Sequence, residues 1–195
     1  YWAEKEGIDP HKIRVISVMP CTAKKFEAKR PEMGRDGMAD VDAVITTREL
    51  AKMIKEAGID FNNLPDEDFD SVLGESSGAG VIFGTTGGVM EAALRTVYEK
   101  VTNQTLDPVE FHEVRGIKGV KEATIQVGDL PVSVAVAHGT ANAAKLLDSV
   151  RSGEKKYTFI EVMGCPGGCV TGGGQPIVSA QQRMELDPKT LRAAA

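Results

Sequence analysis

Residues 161–176 read E-V-M-G-C-P-G-G-C-V-T-G-G-G-Q-P, and six of these sixteen residues are glycine. The segment holds two thiols, Cys165 and Cys169, four positions apart. Glycine is favoured where the backbone takes unusual dihedral angles or passes close to a bulky group. Thiolates beside such a backbone indicate a soft metal centre that the main chain approaches closely.

The third cysteine of the chain, Cys21, is remote in sequence and lies in M-P-C-T-A-K-K-F-E at residues 19–27. An iron–sulfur cubane takes four cysteine thiolates, and this chain offers three. Structural zinc accepts mixed cysteine and histidine ligands, with His138 as the candidate for the fourth position. Three inert cysteines buried near tight turns are the remaining interpretation. Spacing alone leaves all three interpretations open, although zinc knuckles do not need the trailing G-G-G-Q-P.

Two apolar segments predict strands that end in the cysteine motifs. Residues 12–18 (K-I-R-V-I-S-V) are β-branched and largely apolar, which predicts a buried strand, and residues 157–162 predict another. Open α/β sheets place their ligands at the carboxyl ends of strands. We therefore expect each cysteine motif at the end of a strand, so that a single site forms between two lobes.

The rest of the chain alternates strands and helices, which indicates an α/β architecture. Thr46 and Glu49 have the spacing of a capping box, which predicts a helix that ends at Gly58. Gly128 and Asp129 predict a hairpin turn. We further expect strands at residues 42–45, 111–114, 123–127 and 132–137, helices at 89–101 and 140–150, a glycine-rich turn at 76–88, and an irregular acidic loop at 60–75.

Composition excludes several classes of function. The net charge is −5, and basic residues are not clustered with aromatic ones, which argues against a nucleic-acid surface. No apolar run approaches the roughly 20 residues needed to span a bilayer, and no signal peptide is visible at the start of the chain. We therefore expect a cytoplasmic protein with reduced thiols, with the periplasm as the alternative compartment.

The two cysteine segments carry a family resemblance that covers essentially the whole chain. Residues 19–27 and residues 161–176 resemble the second and third signature motifs of the iron-only (FeFe) hydrogenases, in the same order and at a fitting separation. The resemblance implies an α/β, two-lobed catalytic domain, with residues 1–195 forming a fragment of it. We expect that fragment to be incomplete at the N-terminus, where the family's first motif with its paired cysteines would lie, and at the C-terminus.

The resemblance also assigns roles to individual residues. It implies a [4Fe-4S] cluster joined to a two-iron unit that carries carbon monoxide, cyanide and a dithiolate bridge, together called the H-cluster. Cys21 and Cys165 would bind the cubane, and Cys169 would bridge it to the two-iron unit. Lys24 would donate a hydrogen bond to a cyanide ligand, while Lys25 would be the more exposed lysine. The family's pocket around the two-iron unit would be lined by Met19, Pro20, Phe83 and Met163.

The implied function is the reversible combination of protons and electrons to give dihydrogen. Electrons would come from ferredoxin, an NAD(P)-linked partner or another carrier, and the fragment alone would be inactive because it has too few thiolates. The alternatives are a hydrogenase-like iron–sulfur assembly protein and a sensory relative without hydrogen turnover. The M-P-C-T-A-K-K-F-E string, with Met19 and Met163 both present, favours the hydrogenase.

Overall fold

The structure is a computed structural model that describes residues 1–74, 78–107, 112–113 and 118–185. The chain divides into two compact units. Unit 1 comprises Tyr1–Ser76 and Gly172–Leu191, and unit 2 comprises Ser77–Thr171 and Arg192–Ala195. In the described residues the helices are α1 (Trp2–Lys5), α2 (Lys24–Glu27), α3 (Thr47–Glu56), α4 (Gly78–Ile82), α5 (Gly88–Thr102), α6 (Thr140–Arg151) and α7 (Ala180–Glu185). The strands are β1 (Ile16–Met19), β2 (Gly34–Arg35), β3 (Met38–Ala39), β4 (Ala43–Thr46), β5 (His112–Glu113), β6 (Val120–Val127), β7 (Leu130–His138) and β8 (Phe159–Met163).

Unit 1 contains a two-stranded parallel sheet in which β1 pairs with β4, from Ile16 opposite Ala43 to Met19 opposite Thr46. The prediction of a buried strand over residues 12–18 was wrong in its start and in its burial. Pro10–Lys12 form a 3₁₀ helix instead, because Asp9 accepts a hydrogen bond from His11 N and Pro10 favours a helical start. Ile16 and Val18 are 63% and 43% exposed, so the described residues of unit 1 do not cover their face of the sheet.

Helix α3 of unit 1 begins at the predicted capping box. The Thr46 hydroxyl accepts a hydrogen bond from Glu49 N, and the Glu49 carboxylate accepts one from Thr46 N at 2.7 Å. The helix ends before Gly58, whose positive φ of 68° suits the residue that follows a helix. The predicted helix and its two boundaries are therefore confirmed.

Unit 2 is built on a four-stranded sheet with the order β5-β6-β7-β8. Strands β6 and β7 form the predicted antiparallel hairpin, with Gly128 at a positive φ of 59° in its turn, and β8 runs parallel to β7. The predicted strand at residues 111–114 corresponds to β5, and its positions 111 and 114 lie outside the described residues. The predicted final strand corresponds to β8 with a shift of one to two residues.

Helices pack on both faces of the unit 2 sheet, and this layering explains why β7 is almost uniformly apolar. Met90 and Leu94 of α5 form one buried cluster with Ala123, Val134 and Val136. On the other face of the sheet, Leu146 of α6 forms a second buried cluster with Val120, Ala135 and Ala137. Alternate residues of β7 thus face opposite helices, and the α/β class predicted from the sequence is confirmed.

Of the glycine-rich turn predicted at residues 76–88, positions 76 and 77 lie outside the described residues, and the remainder is not a simple turn. Residues 78–82 form α4, and the turn that follows leads into α5, which matches the predicted helix at 89–101. Residues 60–74 contain a 3₁₀ helix at Phe61–Asn63 and are otherwise irregular, as predicted. Within the described part of the chain, no helix is both long enough and apolar enough to cross a membrane.

Candidate metal centre

The Cys21 segment lies at the end of β1 in unit 1, as the sequence predicts. Strand β1 ends at Met19. Pro20 and Cys21 lie between β1 and α2, and Lys24 is the first residue of α2. Met19, Pro20 and Cys21 are half-buried. The Cys21 thiol is free, in no disulfide, and is therefore chemically available as a ligand.

The glycines at the end of the long motif pack against this segment within unit 1. Gly174 N donates a hydrogen bond to Pro20 O at 2.8 Å. A Cβ atom added to Gly174 would lie 2.8 Å from Pro20 C and 3.0 Å from Cys21 N. Arg48 holds the same glycines, since its guanidinium donates to Gly173 O at 2.8 Å. Only glycine lets the two main chains approach this closely.

Cys165 and Cys169 lie in a tight loop after β8 in unit 2. Gly168 N donates to Cys165 O at 3.0 Å, and the Thr171 hydroxyl lies within 2.6 Å of Pro166 O. Gly167 and Gly168 have positive φ angles of 87° and 101°, which side chains rarely allow. Neither cysteine forms a disulfide and both are half-buried, so the loop presents two potential thiolate ligands four positions apart.

A turn at residues 84–86 supports the cysteine loop. Thr86 N donates to Gly167 O at 3.3 Å, and Val170 N donates to Gly84 O at 3.0 Å. A Cβ atom on Gly168 would lie 2.5 Å from Gly84 O and 2.7 Å from Thr86 N. The two backbones are therefore in direct contact, which explains the glycine-rich composition of both segments.

Sequence reasoning missed Glu161, which lies in β8 and is only 6% exposed. Its carboxylate accepts hydrogen bonds from Gly87 N at 2.8 Å and from Met90 N at 2.7 Å. These amides belong to the N-terminus of α5, where backbone N–H groups lack partners within the helix. The signal in the sequence was a single acid in the otherwise apolar strand F-I-E-V-M.

The structure places the candidate ligands in different units. Cys165 and Cys169 share one loop of unit 2, whereas Cys21 belongs to unit 1. Among the described residues, no group of three or more histidine, cysteine, aspartate or glutamate side chains is arranged to hold a metal ion. His138, the candidate fourth ligand of the zinc interpretation, ends β7, and its carbonyl accepts a hydrogen bond from Asn142.

The residues present fit an iron–sulfur group in the chemistry of their donors. Cys21, Cys165 and Cys169 form no disulfide, and cysteine thiolates are the soft ligands that iron–sulfur clusters take. The Thr86 hydroxyl next to the cysteine loop is buried and has no hydrogen-bond partner among the described residues, which is unusual for a buried polar atom. A bound group with acceptor atoms would satisfy it.

The remaining predicted pocket residues are accessible rather than buried in a core. Met163 ends β8 and is half-buried, while Phe83 follows α4 and is 45% exposed. Phe83 is therefore too exposed to be a core residue. A concave surface of about 980 Å³ in unit 1 is lined by residues of α1 and of the β2–β3 hairpin, and no cysteine is among its lining residues.

Lys24 and Lys25 each form an ion pair in unit 1. The Lys24 ammonium lies 2.6 Å from the Glu27 carboxylate, and that of Lys25 lies 2.6 Å from Glu49. Their side chains are 44% and 39% exposed, so Lys25 is not the more exposed of the two, contrary to the prediction. The hydrogen bond from Lys25, with further ones from Thr46, lowers the pKa of Glu49 to about 2.

Comparison with known proteins identifies the family. The protein-family model described as iron only hydrogenase large subunit, C-terminal domain, matches residues 1–173 of this chain. The chain therefore belongs to this family.

Similar proteins support the same assignment. The chain is 57% identical to the NADP-reducing hydrogenase subunit HndD of Solidesulfovibrio fructosivorans over 90% of its length, and 55% identical to the periplasmic [Fe] hydrogenase large subunit of Nitratidesulfovibrio vulgaris over 91%. It spans 30% and 42% of those two proteins. A solved [FeFe]-hydrogenase structure that describes stepwise H-cluster assembly matches 99% of this chain with a TM-score of 0.77 and 39% identity, and this chain spans 55% of it.

Iron–sulfur assembly proteins are more distant relatives. Protein NAR1 of Arabidopsis thaliana is 32% identical over 87% of this chain, which spans 38% of that protein. The hydrogenases of Solidesulfovibrio fructosivorans and Nitratidesulfovibrio vulgaris exceed this identity by more than 20 percentage points.

Proposed function

We propose that this chain is part of the catalytic domain of an iron-only hydrogenase, which interconverts dihydrogen with protons and electrons. The observation that carries this proposal is the pair of cysteine segments at the carboxyl ends of β1 and β8, neither closed by a disulfide and each with a close main-chain contact at a glycine. Family membership and identities above 50% with hydrogenases support it. Residues 1–195 would belong to one catalytic domain.

Three thiolates of this chain would hold the cofactor. Cys21 and Cys165 would bind a [4Fe-4S] cubane, and Cys169 would bridge it to a two-iron unit with carbon monoxide, cyanide and a dithiolate bridge. The bound H-cluster would supply the redox chemistry, as is usual for cofactor enzymes. The role of the protein would be ligation, orientation and control of water.

The other predicted residues would shape the environment of the cofactor. Met19, Met163 and Phe83 offer apolar side chains that their own units leave partly accessible, so they can exclude water from a bound group. Lys24 would hold an anionic ligand by a charge-assisted hydrogen bond. Since an ammonium group has three donors, its contact with Glu27 leaves at least one donor for this purpose.

The substrates would be dihydrogen and protons, and an electron carrier would be the partner. Ferredoxin is the carrier that we propose, with an NAD(P)-linked partner as the alternative supported by the name of one relative. A cytoplasmic location is proposed, and the name of another relative supports the periplasm as the alternative.

The second candidate function is iron–sulfur cluster assembly without hydrogen turnover, which the relationship to NAR1 supports. The lower identity makes it the weaker candidate. A sensory hydrogenase-like protein is a further alternative, and its flanking domains would distinguish it. Hydrogen turnover by the full-length protein separates the first candidate from both others.

Infrared spectroscopy of a Cys169→Ala variant tests the hydrogenase proposal. In a full-length version of the protein that carries this chain, the substitution should abolish hydrogen turnover and the bands of iron-bound carbonyl and cyanide. Gly164→Ala in the same loop is the matched control, because an added Cβ there meets no atom within 4 Å. Unchanged bands and rate in the Cys169 variant would refute the bridging role.

A further inference from the structure

Glu161 is a buried carboxylate whose only partners among the described residues are backbone amides. Its two oxygens accept from Gly87 N and Met90 N, and no lysine, arginine or histidine of the described chain pairs with it. Burying a charge is costly unless it is well hydrogen-bonded. We therefore expect these two hydrogen bonds to serve a structural purpose that offsets the cost of burying the Glu161 carboxylate.

That contribution is to fasten the start of α5 to β8. Gly87 is the N-cap residue of α5 and has no side chain to cap the helix. Glu161 supplies the missing acceptors from the neighbouring strand, at the end of the helix where the helix dipole favours negative charge. The first turn of α5 is thereby held against β8.

The same contacts close a ring around the cysteine loop. Strand β8 runs from Glu161 into the loop, the loop bonds to the turn at residues 84–86, and that turn leads directly into Gly87. Glu161 then bonds Gly87 and completes the ring. The loop is thus fixed on both sides, through its own strand and through the supporting turn.

We infer that Glu161 is a positioning residue that holds the Cys165–Cys169 loop in the conformation in which its thiols serve as metal ligands. The metal-binding purpose rests on the proposed function, whereas the restraint on the loop does not. Glu161→Gln should release the restraint, because an amide has one acceptor oxygen and directs an N–H group at a backbone donor.

The test measures the alkylation rate of each cysteine in the reduced, metal-free 195-residue chain by mass spectrometry with iodoacetamide. Cys21, in the other unit, is the internal reference. Loss of a charge-assisted hydrogen bond changes an opening equilibrium by about tenfold or more. We expect Glu161→Gln to raise the rates of Cys165 and Cys169 relative to Cys21 by this order, and Glu161→Asp, which keeps the charge, to restore part of the protection.

Glu122→Gln is the matched control. Glu122 lies in β6 of the same sheet and also accepts hydrogen bonds, from Tyr157 at 2.7 Å and from Lys155 at 3.1 Å, but it does not contact the ring around the loop. We expect Glu122→Gln to leave the alkylation rates of Cys165 and Cys169 relative to Cys21 unchanged, even if it destabilises the chain as much as Glu161→Gln does. An unchanged ratio in Glu161→Gln, or an equal change in Glu122→Gln, would overturn the inference.

Two features keep the test decisive. If Glu161→Gln does not fold by circular dichroism, the rate ratio in Glu161→Asp decides instead, with a ratio like that of the unaltered chain counting against the inference. Because the measurement needs no iron, failure of the hydrogenase proposal would leave its outcome unchanged.

Discussion

At the scale of single residues, the glycines of the cysteine loop have distinct physical roles. Gly168 combines a positive φ of 101° with a backbone contact that leaves no room for a side chain. Gly164 has neither constraint, since nothing lies within 4 Å of its Cβ position. The two residues look alike in the sequence and differ in backbone conformation and in the contact of Gly168 with the turn at residues 84–86.

This difference predicts a large contrast between two alanine substitutions. Gly168→Ala should lower the free energy of unfolding by about 1–3 kcal/mol, because the new methyl group collides with main-chain atoms that cannot move freely. Gly164→Ala should change it by less than about 0.5 kcal/mol. Urea unfolding followed by circular dichroism measures both, and equal effects would contradict the close packing at Gly168.

Lys24 and Lys25 offer a second contrast between neighbours. Both make partly exposed ion pairs, and such pairs contribute about 0–1 kcal/mol, so neither alanine variant should unfold the chain. In the full-length protein, Lys24→Ala should reduce retention of the two-iron unit, because a hydrogen bond to a charged group contributes about 1.5–3 kcal/mol. Lys25→Ala should retain it.

The intensity of the carbonyl and cyanide infrared bands per protein molecule measures this retention. Similar losses in the two lysine variants would show that the effect is one of surface charge. In that case Lys24 would have no specific contact with the cofactor.

At the scale of elements, the capping box of α3 makes stability depend on pH. The pKa of Glu49 is lowered from 4.5 to about 2, first by the hydrogen bond from Lys25 and then by those from Thr46. Because the folded state favours the charged carboxylate, the stabilising effect is fully present above pH 4.5 and is lost as the pH falls towards 2.

We therefore expect Glu49→Gln to lower the unfolding midpoint in urea at pH 7 and to have a smaller effect at pH 3. High salt should reduce the difference at pH 7, since the side chain is exposed. A difference that stays constant from pH 7 to pH 3 would show that Glu49 acts by packing alone. Thr47→Ala, next to the cap, is the control that should have little effect.

The elements that the sequence predicts well are those with strong local signals. The capping box at Thr46 and the turn at Gly128 fix their boundaries through contacts within a few residues. Strand β1 was predicted too early and as buried, because burial of Ile16 depends on what packs over the sheet and not on its own apolar side chain. Helix α4 was missed because glycine is a poor helix former.

The candidate site was predictable only in part, because some of its contacts join residues that are far apart in the sequence. The cysteines and the strand ends that carry them follow from local pattern. The contacts of Glu161 with Gly87 and Met90 join residues 74 and 71 positions apart, and no local pattern encodes them. The contact of Gly174 with Pro20 is equally remote in sequence.

At the scale of the whole molecule, the long cysteine motif is divided between the two units. The motif up to Thr171 belongs to unit 2 with the loop of Cys165 and Cys169, while Gly173 and Gly174 belong to unit 1 and pack beside the Cys21 segment. One continuous stretch of sequence thus contributes to the surroundings of all three thiols. The glycine triplet is needed for unit 1 and the earlier glycines for unit 2.

The 195-residue chain by itself has fewer cysteines than a cubane needs as ligands. A cubane takes four thiolates and the chain has three cysteines, so the 195-residue chain should not hold a complete H-cluster. We expect no hydrogen evolution after anaerobic reconstitution with iron and sulfide and addition of a strong reductant. Iron and sulfide analysis of the same sample establishes whether any cluster has formed. Turnover comparable to that of an intact hydrogenase would show that the three thiols suffice, and that the fourth ligand of the proposed cubane need not be a cysteine.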